Sequence, residues 1–179
     1  MFVCLLAFFS ISGLAAKSTL NIKSAELESR EDSYLLNADV DIKFSNAIED
    51  AINKGFELNF LIEFQLATPR KYWFDDEVVT TTHDVALSYH ALSRQYLVIR
   101  GNQQKTFVRL DEAIDDLSTI GELRVFQKSE VEKGELYKAV LLMRLDVKKL
   151  PKTLQGETMG SEDWKMSSQR FEWVPDIIK

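Results

Sequence analysis

The stretch from Phe56 to Thr68 restricts this chain more than any other. Phe56, Leu58, Phe60, Ile62, Phe64 and Leu66 alternate with Glu57, Asn59, Glu63, Gln65 and Ala67, and only Leu61 interrupts the pattern. A period of two puts every second side chain on one face of a pleated strand, so the segment reads as a long β-strand with one dry face and one wet one. Burying six large apolar side chains contributes about 9 to 18 kcal/mol, an upper bound because the unfolded chain already hides some of that surface. A strand so heavily loaded on one side needs a second apolar layer to cover it.

The rest of the chain supplies such layers. Leu20 to Glu28 reads as a strand whose apolar phase slips between Ile22 and Ala25, the mark of a bulge. Arg30-Glu31-Asp32-Ser33 is a polar turn, after which Tyr34, Leu36, Ala38, Val40, Ile42 and Phe44 alternate in a second strand. Ala47, Ile48, Ala51 and Ile52 form the stripe of a short helix, with Asn46 as its cap, Glu49 three residues on, and Gly55 suited to the left-handed position after its end. Thr68-Pro69 stops the central strand. From Asp84 the apolar phase runs through Val85, Leu87 and Tyr89 and then changes near Ala91 to Ser93, which requires a bulge or a turn. Gly101-Asn102 marks a hairpin, and Leu110, Ala113, Ile114 and Leu117 mark a second helix with acids in its first turn. Leu123 and Val125 begin a further strand, and Tyr137, Ala139, Leu141, Met143, Leu145 and Val147 alternate in another. Leu150-Pro151-Lys152 ends it, and a polar loop leads to a last, irregular strand holding Trp164, Met166, Phe171 and Trp173. Eight to ten strands with two short helices and no strand-helix-strand rhythm predict a mainly β (α+β) fold, an antiparallel two-layer β-sandwich.

With 179 residues, the chain has the length of one domain with a real core. Only 7 Gly and 3 Pro, with 45% hydrophobic residues, leave no room for a disordered or low-complexity array. A net charge of -6 argues against a nucleic-acid or anionic-membrane partner, which needs clustered Lys and Arg. Residues 1–16 stand apart: Phe2 to Phe9 is an unbroken apolar run, followed by small residues and Leu14-Ala15-Ala16. That is the pattern of a cleaved signal peptide, although no Lys or Arg precedes the run, and it is too short to span a bilayer. The expectation is a mature chain of residues 17–179 in the periplasm, without stable membrane insertion. Cys4, the one cysteine, leaves with the signal, and the mature chain then has no disulfide and no thiol nucleophile.

Motifs of catalysis are absent: there is no Gly-x-Ser-x-Gly elbow, no phosphate-binding glycine loop and no His-Glu-x-x-His. No cofactor is implied. His83 and His90, the two histidines, are an odd number of residues apart and point to opposite faces of one strand, so they cannot share a metal, and Asp75-Asp76-Glu77 reads as a solvated acidic turn. Ser88 and His90 share a strand face, but nothing signals the turn and oxyanion hole that a nucleophilic serine needs. The segment Arg70-Lys71-Tyr72-Trp73-Phe74 combines cations with aromatic faces, a composition used by binding surfaces, while Trp73 equally suits the closing of one end of the core. The candidate binding residues are Arg70, Lys71, Tyr72, Trp73, His90 and Arg94, with Arg94 expected to pair with an acid at the core edge such as Asp146.

Several blocks carry a resemblance. Ala51 to Gly55, Arg70 to Trp73, Leu87-Ser88-Tyr89-His90-Ala91-Leu92-Ser93-Arg94-Gln95-Tyr96, Arg144-Leu145-Asp146, Leu150-Pro151-Lys152 and Asp163-Trp164 resemble an exported family of Gram-negative bacteria known as domain of unknown function 4390. The likeness covers nearly all of the chain after residue 16, with one departure at Thr153, where the family often has a second proline. It implies a bacterial envelope setting, members often standing beside genes for membrane sensor kinases, and it brings no catalytic residues with it. Three functions are compatible with these features: a non-catalytic module that binds another envelope protein, a carrier of an apolar ligand between the two sheets, and a hydrolase without a recognisable motif.

Overall fold

The alternating run forms β3, Leu58–Thr68, at the heart of one of two antiparallel sheets in the computed structural model, which describes residues 17–71, 75–158 and 161–177. Leu58, Phe60, Phe64 and Leu66 have 0% of their surface exposed and Ile62 3%, while Asn59, Leu61, Glu63 and Gln65 between them are half-buried on the other face. β3 pairs on one side with β4, Asp76–His90, and on the other with β8, Lys138–Leu145. The hairpin of β5, Gln95–Arg100, and β6, Gln103–Phe107, extends the sheet beyond β4, and β9, Phe171–Trp173, ends it beside β8. The strand order is β6-β5-β4-β3-β8-β9.

The second sheet has the order β1-β2-β7, from Thr19–Arg30, Ser33–Lys43 and Thr119–Gln127. Its central strand β2 turns Tyr34, Leu36, Ala38, Val40 and Ile42 toward β3, and one continuous apolar cluster joins the two layers. The rings of Phe64 and Phe126 lie 5.9 Å apart and those of Tyr34 and Phe126 4.7 Å apart, so aromatic stacking crosses from sheet to sheet through the middle of the sandwich. The expected bulge in β1 is present, with the register slipping between Ile22 and Ser24.

Among the described residues, three short α-helices cover the ends. α1, Asn46–Asn53, carries the chain from β2 to β3 and buries Ile48, Ala51 and Ile52. It follows Ser45 rather than using Asn46 as a cap, and the Ser45 backbone N–H donates to the Ser18 hydroxyl at 3.0 Å, which ties the start of the helix to the segment before β1. Gly55 takes the left-handed position after it, at φ +87°. α2, Leu110–Ser118, returns the chain from β6 to β7 and buries Ala113 and Leu117. A third helix, α3, Lys152–Thr158, occupies part of the stretch expected as a polar loop, with Leu154 buried and Gln155 Nε2 donating to the Leu150 carbonyl at 2.6 Å. The apolar signal for it amounts to a single residue, too little to register as a period.

Phe60→Asp places a carboxylate in the dry row and is expected to unfold the protein, whereas Asn59→Ser, one residue along, loses an exposed hydrogen bond to Glu57 and shifts stability by less than about 0.5 kcal/mol. Thermal melts of the two variants distinguish the faces.

Candidate functional site

The candidate residues fall at opposite ends of β4. That strand has 15 residues and spans about 45 Å at roughly 3.3 Å per residue. Arg70 and Lys71 stand at the end where β3 passes to β4, and His90 and Arg94 at the other, around the turn to β5. Tyr72 and Trp73, with Phe74, lie outside the described residues.

At the first end, the Arg70 backbone N–H donates to Asp75 Oδ1 at 3.3 Å, and the Arg70 guanidinium pairs with Asp76. Asp75 also binds the Lys138 ammonium, and its carboxyl is held below the usual range by that bond first and by the Arg70 N–H second. Lys138 reaches Glu172 at 3.8 Å, Glu172 meets Arg170 at 3.6 Å, and Gln65 joins Glu77 at 3.1 Å. Further along the wet face, Arg144 binds Glu63 at 2.6 Å and Lys149 binds Asp84 at 2.6 Å. Cations and carboxylates thus alternate in space, and Arg70 belongs to this paired surface rather than standing as an isolated cation.

At the second end, residues 91–94 form the turn demanded by the change of phase. His90 Nδ1 accepts the Ser93 backbone N–H at 3.3 Å and lies 3.0 Å from the Ser93 hydroxyl, so the ring closes the turn and does not bond Ser88. Arg94 has φ 54°, a left-handed conformation that is unfavourable for a side chain with a Cβ. It does not pair with Asp146. That carboxylate turns back to accept the Lys148 backbone N–H at 3.1 Å and caps a 3₁₀ turn, because a short side chain at the end of β8 satisfies the nearest free N–H more readily than a distant guanidinium. Leu92 at the tip of the turn is 93% exposed, and Val108, following β6 at the same end of the sheet, is 73% exposed.

Two features between these ends escape a reading of residue types. β5 pairs with β4 only from Val85 to His90, so among the described residues the Asp76 to Asp84 half of β4 is bonded to β3 on one side and to no strand on the other. After a bulge at Val78, this free edge runs Val79-Thr80-Thr81-Thr82-His83. Thr81 and His83 face inward, across the ladder from Phe64 and Ile62, and the Thr81 hydroxyl and His83 Nε2 are buried without a hydrogen-bond partner. Burial drives the His83 pKa below 6.5, against a hydrogen bond from the ring to the Arg124 backbone of β7 and the nearby Asp84 charge. His83 is therefore a neutral pin between the two sheets. His90 sits exposed on the outer face, and among the described residues no three His, Cys, Asp or Glu side chains converge as metal ligands. Among the same residues, no helix is long and apolar enough to cross a membrane.

Residues 17–174 match the profile of a family described as Domain of unknown function (DUF4390). No curated protein and no solved structure matches the chain.

Two measurements follow from this geometry. The native state disfavours protonated His83, so the unfolded chain binds more protons as the pH drops below about 6.5, and stability is expected to fall from there toward pH 5 by at most about 1.4 kcal/mol per unit. His83→Val should flatten that part of a urea-denaturation profile. Arg94→Gly relieves the left-handed strain and is expected to stabilise the protein by up to about 1 kcal/mol, read as a higher urea midpoint.

Proposed function

Because the chain belongs to the DUF4390 family, whose description assigns no activity, we propose from its own geometry that it is a non-catalytic envelope module that binds another envelope protein along the free edge of β4. The observation that carries this reading is the run from Val79 to His83, β-branched until its last residue and, among the described residues, without a neighbouring strand on one side. Such an edge presents N–H and C=O groups that template an incoming strand, and proteins ordinarily blunt it with lysine, proline, a bulge or brevity. The other margins are treated in that way: β1 carries Lys23 at its bulge, β7 has two register slips, β6 carries Lys105, and β9 has 3 residues. Between Val79 and His83 there is neither lysine nor proline. An edge of good strand-formers left open in the middle of a protein is suited to strand addition by an extended segment of a partner, in which main-chain hydrogen bonds supply affinity and alternate side chains supply selectivity.

The envelope setting rests on residues 1–16, with their apolar run and small-residue end, and on the family resemblance. The non-catalytic reading rests on the side chains themselves: the His90 ring is engaged with Ser93 and does not bond Ser88.

The test uses prolines as a pair. Successive residues of an antiparallel edge strand point their N–H groups alternately inward to the ladder and outward, so of Thr81→Pro and Thr82→Pro one breaks a bond to β3 and the other removes only an outward N–H. The variant that keeps the wild-type melting temperature is expected to lose the partner captured from envelope extracts by the wild-type protein. Equal capture by that variant and the wild type would overturn strand addition at this edge.

A further inference from the structure

We infer that a cleft between the two sheets, beside α2, is a binding site for a small monocarboxylate with a short apolar chain. This site is separate from the β4 edge and stands or falls independently of it. The cleft has a volume of about 190 Å³. Its apolar walls come from both layers, with Ile62 and Val98 on one side and Ile120 and Leu123 on the other. It exists because the inner positions of the β5–β6 hairpin change character: after Val98 the residues on that face are Arg100, Gln103 and Lys105, which cannot fill dry space. Across from them β7 contributes Gly121, where an added Cβ would meet nothing within 4 Å.

The charge at the mouth selects the ligand. Arg100 donates to Asp116 Oδ2, to the Asp116 carbonyl and, at 3.4 Å, to the Thr119 carbonyl, so its guanidinium caps the last turn of α2 and fixes Asp116 in place. Asp116 Oδ1 accepts from the Lys105 ammonium at 2.6 Å. Burial raises the carboxyl of Asp116, and the bonds from Lys105 and Arg100 outweigh that and hold it below the ordinary range, so it stays ionised. One carboxylate thus faces two cations and leaves an excess positive charge at the rim. Glu122, the next acid along β7, is bound to Arg30 at 2.6 Å and does not neutralise it. Arg100 is committed to α2, while Lys105 has one such bond and a side chain 61% exposed, which leaves ammonium donors for an incoming anion. A space of this size holds about six groups at roughly 30 Å³ each. A carboxylate at Lys105 with a chain of four to six carbons against Ile62, Val98, Ile120 and Leu123 satisfies both halves of the cleft.

Sodium hexanoate is the probe, read by amide chemical shifts in the full-length folded protein. The expected result is saturable shifts at Val98, Ile120, Gly121 and Leu123, with an apparent Kd on the order of 1 to 10 mM, as befits so small a ligand. Lys105→Gln is expected to keep the melting temperature and weaken hexanoate about tenfold, and Lys105→Arg to restore it, since the bond lost is charge-assisted. Hexanol should bind about tenfold more weakly than hexanoate, and inorganic phosphate should leave the cleft amides unmoved. No saturable shift, shifts confined to other regions, equal binding by Lys105→Gln, or an equal response to hexanol or phosphate would each overturn the assignment.

Discussion

Leu58, Phe60, Ile62, Phe64 and Leu66 lose nearly all contact with water because β3 is hydrogen-bonded on both flanks and its inner face is covered by a second sheet. No single neighbour could achieve this. β4 and β8 shield the backbone, β2 and β7 supply the opposing apolar row, and the Phe64–Phe126–Tyr34 stack connects the layers. The helices depend on that row in turn. With 8 and 9 residues, α1 and α2 are too short to persist alone in water and are held by the faces they bury.

Away from this row the interior becomes polar in a graded manner. Along the inner face of the six-stranded sheet, Phe64 and Ile62 of β3 are followed by Thr81 and His83 of β4, and Val98 of β5 by Arg100 and then Lys105 of β6. A carpet of paired charges covers the wet face opposite, where Arg144 meets Glu63 and Lys138 meets Asp75. Surface pairs of this kind add little stability each, but they leave few uncompensated charges there to attract a partner. The distinctive chemistry of the molecule accordingly lies at its margins: a strand edge that no other described strand covers, a left-handed arginine in a turn, and a cleft where two cations share one carboxylate.

Much of the fold was legible. β2, β3 and β8 carry a period of two, as does β4 from Val85 on, the slip in β1 appeared as a slip in apolar phase, and Gly101-Asn102 announced its hairpin. Less of the candidate site was legible. Arg70 and His90 are polar, and polarity says only that water or a partner surrounds them. That Arg70 is tied to Asp76 and His90 to Ser93 depends on turn geometry that residue types do not encode. Arg94 was expected beside Asp146, but the acid found a backbone N–H two residues away. α3 leaves no periodic sign in the sequence, because one buried leucine makes no period.

The sequence by itself determined the dry rows of β2, β3 and β8, most of the turns, and that the protein is an antiparallel two-layer sandwich, because alternation and turn chemistry are local properties written in consecutive residues. Only the tertiary structure decided which strands are neighbours, and so that β5 joins β4 only from Val85 to His90, leaving, among the described residues, an edge at Val79 to His83. It also decided that Arg100, Lys105 and Asp116 meet, from two strands and a helix. Pairing between distant strands is chosen by how whole faces fit together, and no residue carries a local sign of the neighbour it will lack.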